Sequence, residues 1–301
     1  MTSAVPVIVV GSVNIDLVAV GERMPRPGET VSMERFAEVQ GGKGGNQASA
    51  AAALGARVHF IGAVGSDHWG DSARADLAGR GIDVGALATV DGSTGVAIIL
   101  VDDAGENSIA IVPGANAAVS PAAVTDALAA LDLDDAVLVA CLEIPLESVV
   151  AAAVAAAARG WRVVLNPAPA REPPAELVAA AAVITPNATE VELLGGADAL
   201  LAAGAGAVVV TRGADGTELH PPSGAASRIA ASPAQVVDTT GAGDVFTAAL
   251  AVALANGRDL ADAVAWASAA GAIATEGFGA RGSLPTAHQV DQRLADSPRE
   301  G

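Results

Sequence analysis

The chain has 301 residues, 51% apolar and 17% charged, enough to bury a sizeable core and too apolar for intrinsic disorder. Sixteen Lys and Arg stand against 34 Asp and Glu, and the net charge of -18 would repel a polyanionic duplex. Three Trp, four Phe and no Tyr make no stacking platform for single-stranded nucleic acid, so DNA and RNA are not expected partners.

Residues 6–10 (PVIVV), short, β-branched and closed by Gly11, predict a buried first strand. The start MTSAVPVIVVGS has no basic leader, and the apolar runs break before spanning length. With one cysteine, Cys141, and so no internal disulfide, this predicts a soluble cytoplasmic protein with no membrane association. Residues 14–20 alternate polar and apolar and predict a half-exposed strand. The Gly-rich stretch 41–45 opens an alanine-rich helix through Ala53, closed by Gly55. Residues 58–63 predict a second buried strand, and 95–101 with 107–112 predict a hairpin around an Asp- and Gly-containing turn. Strands then follow at 136–142, 162–165, 183–185 and 207–211, interleaved with helices at 146–158 and 174–181. The longest apolar-periodic helices are 243–255 and 260–275. Such alternation predicts an α/β fold, a mostly parallel central sheet with helices on both faces in three layers. A single domain over 1–301 is expected, with strands from about 13–36 and 95–112 forming a small accessory β-sheet.

Lys43 is the only lysine in the chain, and it sits between glycines in Gly41-Gly42-Lys43-Gly44-Gly45-Asn46. Its compact ammonium cannot be replaced by Arg's planar fork, so the placement points to a site. The stretch is not a Walker A loop, because Gly44 follows the lysine. Near the end, Asp238-Thr239-Thr240-Gly241-Ala242-Gly243-Asp244 precedes an apolar helix. Small residues there leave backbone N–H groups unobstructed, and the helix dipole makes an anion hole without basic side chains. An ordinary helix cap needs one such residue rather than six. Gly277 to Gly282 (GFGARG) has the spacing of a dinucleotide loop, but no strand precedes it and no helix is expected after it. Its glycines can still offer carbonyl oxygens to a monovalent cation. Asn14 and Asp16 after the first strand, Glu143 after 136–142, and Asn187 with Glu190 after 183–185 all fall at the C-terminal edge of the sheet, where ligands gather. Each alone is an ordinary turn or cap residue. The four histidines have no metal-ligand spacing, and no G-x-S-x-G is present.

Taken together, Gly11-Ser12-Val13-Asn14-Ile15-Asp16, Pro27-Gly28-Glu29-Thr30, the Gly-Gly-Lys-Gly-Gly-Asn-Gln stretch and the 238–244 motif resemble the ribokinase (carbohydrate kinase) family over nearly the whole chain. Ser93 to Ala97, Gly105 to Asn107, Gly114 to Ala118 and Leu165 to Ala170 carry a closer match to the members that act on ribose. The resemblance implies ATP-dependent transfer of the γ-phosphoryl group to the 5-hydroxyl of D-ribose, with deoxyribose, fructose or a nucleoside as alternative acceptors. A non-catalytic sugar-binding protein is the remaining alternative. It implies Asp244 as base and the amides of Gly241, Ala242 and Gly243 as the anion hole. Asn14, Asp16, Gly42, Lys43, Asn46 and Glu143 match sugar-binding positions. Asn187, Thr211, Arg212, Gly213, Ala214, Asp215, Gly216 and Ser268 match nucleotide-binding ones, with Gly243 and Asp244 beside them. Glu190 matches the position associated with Mg²⁺, and Asp238, Thr240, Ala274, Gly277, Gly279 and Ser283 match an activating K⁺ site. A homodimer is also implied, with the accessory sheet as lid and interface. Between Glu190 and Thr211 the chain is shorter than the family pattern, so a helix is expected to be trimmed or missing there. Ser268 stands where a bulkier polar residue is usual.

Overall fold

The computed structural model describes residues 5–296. Its strands are, in chain order, Val7–Val10 (β1), Asn14–Val20 (β2), Arg35–Gly41 (β3), Val58–Gly65 (β4), Asp83–Val90 (β5), Gly95–Val101 (β6), Asn107–Val112 (β7), Val137–Cys141 (β8), Arg162–Asn166 (β9), Val183–Ile184 (β10), Val208–Thr211 (β11), Thr217–His220 (β12) and Ser227–Ile229 (β13). Its helices are Lys43–Ala53 (α1), His68–Gly79 (α2), Pro121–Ala130 (α3), Leu146–Ala158 (α4), Ala175–Ala180 (α5), Ala188–Leu193 (α6), Ala197–Ala202 (α7), Ala242–Ala255 (α8), Leu260–Ala274 (α9) and Ala287–Asp296 (α10).

Nine strands form one sheet in the order β13-β12-β11-β10-β9-β8-β1-β4-β5, parallel except for the antiparallel β12 and β13 at one edge. All four side chains of β1 are buried, and they alternate between two cores. Val7 and Val9 face the layer built by α1, α2, α8 and α9, whereas Ile8 and Val10 face α3, α4 and α5. A strand covered on both faces has no polar side to show, so β1 reads as a continuous apolar run. Alanine-rich helices suit this arrangement because small side chains let helix and sheet approach closely.

A second sheet of four strands, β3-β2-β6-β7, grows from the end of β1. The chain crosses Gly11 to Val13 and enters β2, which pairs antiparallel with β3 and parallel with β6. The range 13–36 therefore stops short: residues 21–34 hold no strand, and the partner of β2 runs on to Gly41. Helix α2 and strand β5 were not expected from the sequence. In α2 only Gly70, Ala73 and Leu77 are buried, a stripe too thin to stand out among its charges. The short segment after Glu190 does carry a helix, α7, although of six residues only. A helix also follows GFGARG, since α10 begins at Ala287, but no strand precedes it. No helix among the described residues is long and apolar enough to cross a membrane.

Candidate active site

The C-terminal ends of β1, β8, β9, β10 and β11 open on one edge of the large sheet, and two glycine-started helices meet there. Gly42 has φ +81°, and any Cβ at that position would strike the backbone of Val13 and Asn14. The turn it makes launches α1 with Lys43, Asn46 and Gln47 near its start. Gly241, at φ +78° and pressed against Ala280, does the same for α8, and puts Asp244 in the first turn.

Asp244 is buried and held from both sides by α1. Its Oδ2 accepts from Asn46 Nδ2 at 3.1 Å, and its Oδ1 accepts from Gln47 Nε2 at 3.1 Å. Burial pushes the Asp244 carboxyl above the ordinary carboxylate range, with Glu143 adding to the push; Lys43 and the two amides pull the other way. Asp244 in turn holds the Lys43 ammonium above the usual lysine value, against burial and with help from Glu143. Carboxylate and ammonium stabilise each other's charged forms.

Lys43, Gly241, Gly243 and Asp244 line a cavity of about 210 Å³. Asn187, Glu190 and Thr211 stand on its walls, and Asn166, Thr185 and Thr239 join them. Asn187 and Glu190 cap α6 reciprocally: Asn187 Oδ1 accepts from Glu190 N, and Glu190 Oε2 from Asn187 N, both at 2.8 Å. Ordinary capping and a place on the cavity wall thus coexist in these two residues.

Beside the cavity lies a cluster of polar side chains where the two sheets meet. Ser12 Oγ donates to Glu143 Oε2 at 2.5 Å, and Lys43 N donates to the same oxygen at 2.9 Å. Asn14, buried on β2 rather than in a turn, accepts from Asn116 Nδ2 at 2.8 Å. Asp16 shares this strand, and burial, then Glu143 and Asp244, push its carboxyl up to about 6 while Arg281 pulls it down. Asn14, Asp16, Gly42, Lys43, Asn46 and Glu143 are therefore brought together.

The nucleotide positions are spread more widely. Only Asn187, Thr211, Gly243 and Asp244 reach the cavity. Residues 212–216 form a turn past β11, where Arg212 pairs with Glu218 at 2.8 Å and Arg228 Nη2 donates to Asp215 O at 2.6 Å. Ser268 Oγ lies 3.0 Å from Thr217 Oγ, so the α9 residue is tied to β12. Two further loops are stapled beside the start of α8. Asp238 Oδ1 accepts from the Thr240 amide and hydroxyl, Asp238 Oδ2 accepts from Gly279 N at 2.8 Å, and Thr275 O accepts from Val237 N. Ala274 ends α9 just before this junction, and Gly277 abuts Ser283.

Gln47, Asn166 and Arg281 were missed in the sequence. Gln47 is wholly buried, a signal present in the sequence as an amide inside an alanine helix. Arg281 lay in the stretch set aside as a false dinucleotide loop, a cation near glycines as Lys43 is. Among the described residues, no three His, Cys, Asp or Glu side chains group as metal ligands.

The sequence matches the model of the pfkB family carbohydrate kinases over residues 6–287. It is 38% identical over 293 residues to a ribokinase of Bacillus subtilis, covering 96% of this chain and 99% of the relative. Its fold is similar to a ribokinase from Thermotoga maritima, with a TM-score of 0.88, 32% identity, and 97% and 100% of the two chains covered. It is also similar to an Arabidopsis thaliana ribokinase solved with ribose and ATP, with a TM-score of 0.86, 31% identity, and 98% and 100% covered.

Proposed function

The chain belongs to the pfkB family of carbohydrate kinases, and from that premise we infer that it transfers the γ-phosphoryl group of ATP to the 5-hydroxyl of D-ribose. The observation that carries the reading is Asp244: a buried carboxylate, raised in pKa, held by two amides at the start of α8 and facing the same cavity as Lys43. Phosphoryl transfer asks for positioning and charge stabilisation more than covalent chemistry. Asp244 accepts the proton of the attacking hydroxyl, while the amides of Gly241, Ala242 and Gly243 receive charge on the transferring oxygens. Asn14, Asp16, Asn46 and Glu143 orient a neutral polyol, and Lys43 reaches both sugar and phosphate. Asn187, Thr211 to Gly216 and Ser268 take the nucleotide.

Glu190 fits a Mg²⁺ that is held mostly by phosphates, because such a cation needs only one or two carboxylates from the protein. The capping box occupies its Oε2, and Oε1 is the oxygen left for the metal. When bound, Mg²⁺ neutralises charge on the phosphates. Asp238 and Thr240, with carbonyls of Ala274, Gly277, Gly279 and Ser283, would hold K⁺ where the two stapled loops meet. An added cation there strengthens the positive field at the start of α8. The four-stranded sheet exposes Phe36 and Ile98 on one face, and Ile109 and Ile111 on the face that carries Asp16, apolar surface that a second copy would cover while the sheet closes over the sugar. A need for ATP favours a cytoplasmic location, which cell fractionation would check.

The deciding experiment compares kcat/KM for ribose, 2-deoxyribose, fructose and adenosine, in K⁺ and again with choline in its place. Ribose is expected to lead and K⁺ to be needed. Parity between ribose and its 2-deoxy analogue would remove the ribose assignment, calorimetric binding without turnover would remove catalysis, and indifference to choline would remove the K⁺ site. Sedimentation as a monomer at all concentrations would dismiss the dimer.

Gly243 gives an independent check on the anion hole. A Cβ there meets no protein atom within 4 Å, so Gly243→Ala leaves packing intact and favours the helix by up to about 1 kcal/mol. The methyl instead intrudes on the space claimed for the phosphoryl group. We expect Tm to hold or rise while kcat falls by roughly ten-fold or more; an unaltered kcat would place the phosphate elsewhere.

A further inference from the structure

Arg281 reaches from the 277–283 loop into the gap between the two sheets, and its side chain is only 7% exposed. The guanidinium donates in three directions. Nε meets Asn46 Oδ1 on α1 at 2.9 Å, Nη1 meets Asp76 Oδ2 on α2 at 2.6 Å, and Nη2 meets the Gly41 carbonyl at the end of β3 at 3.1 Å. Space is reserved for it, since a Cβ on Gly45 would collide with Nη2. The Asp16 carboxylate is similarly admitted by Gly41, where a Cβ would strike it. Asp76 and Arg80 are the other charged groups facing the guanidinium, with Asp16 beyond them.

The contact with Asn46 has a direct chemical consequence. A guanidinium only donates and an ionised carboxylate only accepts. Between them, the Asn46 carboxamide has one satisfactory orientation, oxygen towards Arg281 and NH₂ towards Asp244. A flip would set oxygen against carboxylate and NH₂ against guanidinium. We propose that Arg281 is a positioning residue that fixes the Asn46 amide, and through it Asp244 and the sugar hydroxyl, while balancing Asp16 in a pocket of three carboxylates. This rests on the ribose-kinase reading for its substrate, but not for its geometry. It also ties the loop that carries Gly277, Gly279 and Ser283 to the sugar pocket by one side chain.

The test uses Arg281→Met, which keeps the length of the side chain and removes charge and donors, and Arg281→Lys, which keeps charge and loses the fork. Loss of a charged hydrogen bond should raise KM for ribose about ten- to hundred-fold in Arg281→Met, with kcat lowered and KM for ATP little changed. Arg281→Lys should recover little of the KM. Carboxyl-carbon NMR titration reads the same device without sugar. In Arg281→Met the Asp16 midpoint rises, since only Glu143 and Asp244 remain as its charged neighbours, and the Asp244 midpoint rises as Asn46 loosens. Arg281→Lys should restore Asp16 alone. Were Arg281→Met simply to lower Tm while ribose KM, kcat and both midpoints stayed put, Arg281 would be structural only. If wild-type protein fails to bind ribose, the substrate reading falls, and the two titrations still decide the role of Arg281. Should the Met variant not fold, the contrast between Lys variant and wild type at Asp244 settles the matter.

Discussion

Asp244→Asn should lower turnover by roughly 10²–10⁴-fold, the range for loss of a general base, with the protein still folded and still binding sugar. The substitution is nearly isosteric, and the side chain it replaces is a buried carboxylate whose burial opposes ionisation. Removing that charge relieves desolvation, so Tm should hold or rise. One local contact suffers: Asn46 Nδ2 and Gln47 Nε2 both donate to residue 244, and an amide there has one oxygen to receive them. Lys43 keeps Glu143 as a counter-charge, so the cation stays in place. The readouts are kcat by a coupled ADP assay and ribose affinity by calorimetry. Turnover within ten-fold of wild type, with binding unchanged, would mean that another group takes the proton.

Much of the large sheet was legible because buried parallel strands announce themselves as short β-branched runs; β1, β4, β8 and β9 all did. The elements that escaped carry their information elsewhere. Helix α2 buries only Gly70, Ala73 and Leu77, and β5 shows a mixed pattern at the sheet edge, so neither has a strong period. Strand β3 (RFAEVQG) is mostly exposed, and its identity comes from pairing with β2, a contact made only in the folded chain. The site divides in the same way. Lys43 and Asp244 were readable because glycine-rich turns mark helix starts, and the fold puts both residues on one cavity. Arg281 and Gln47 were not, because their meaning lies in what they meet: Arg281 contacts Asn46 across 235 positions of chain, and Gln47 contacts Asp244 across 197. An amide in an alanine helix and a cation near glycines mark the two residues as unusual, but sequence position does not name their partners.

Electrostatics explain how a chain of net charge -18 can hold a triphosphate. Asp16, Glu143 and Asp244 are clustered, and their mutual repulsion is relieved locally by Lys43 and Arg281. The cavity itself presents the start of α8, where peptide dipoles supply positive potential without side chains. On the proposed reading Asp16 and Glu143 stand on the sugar side, where a neutral polyol wants acceptors, while Glu190 and Asp244 face the cavity.

Removing the lysine from this balance should have the second largest effect. Lys43→Met takes away the cation that faces Asp244, and lowers turnover near neutral pH by roughly 10²–10³-fold, the usual cost of one preorganised charge-stabilising donor. The pH dependence separates two contributions. Lys43 pulls the Asp244 pKa down against burial, so without it that pKa climbs further. A base works only when ionised, so activity is lost as pH falls through the pKa; a higher pKa moves the acidic limb of kcat to higher pH. Part of the deficit should therefore return on raising the pH, and the remainder measures the phosphoryl charge that Lys43 no longer meets. The Lys43 backbone N–H still donates to Glu143, which preserves the turn, and an unchanged Tm would separate the loss of activity from a folding defect. Lys43→Arg should not rescue, because a planar fork demands a different geometry from a compact ammonium beside Gly42 and Gly44. An acidic limb that stays where it was in Lys43→Met, with turnover near wild type, would break the link between the chain's single lysine and its base.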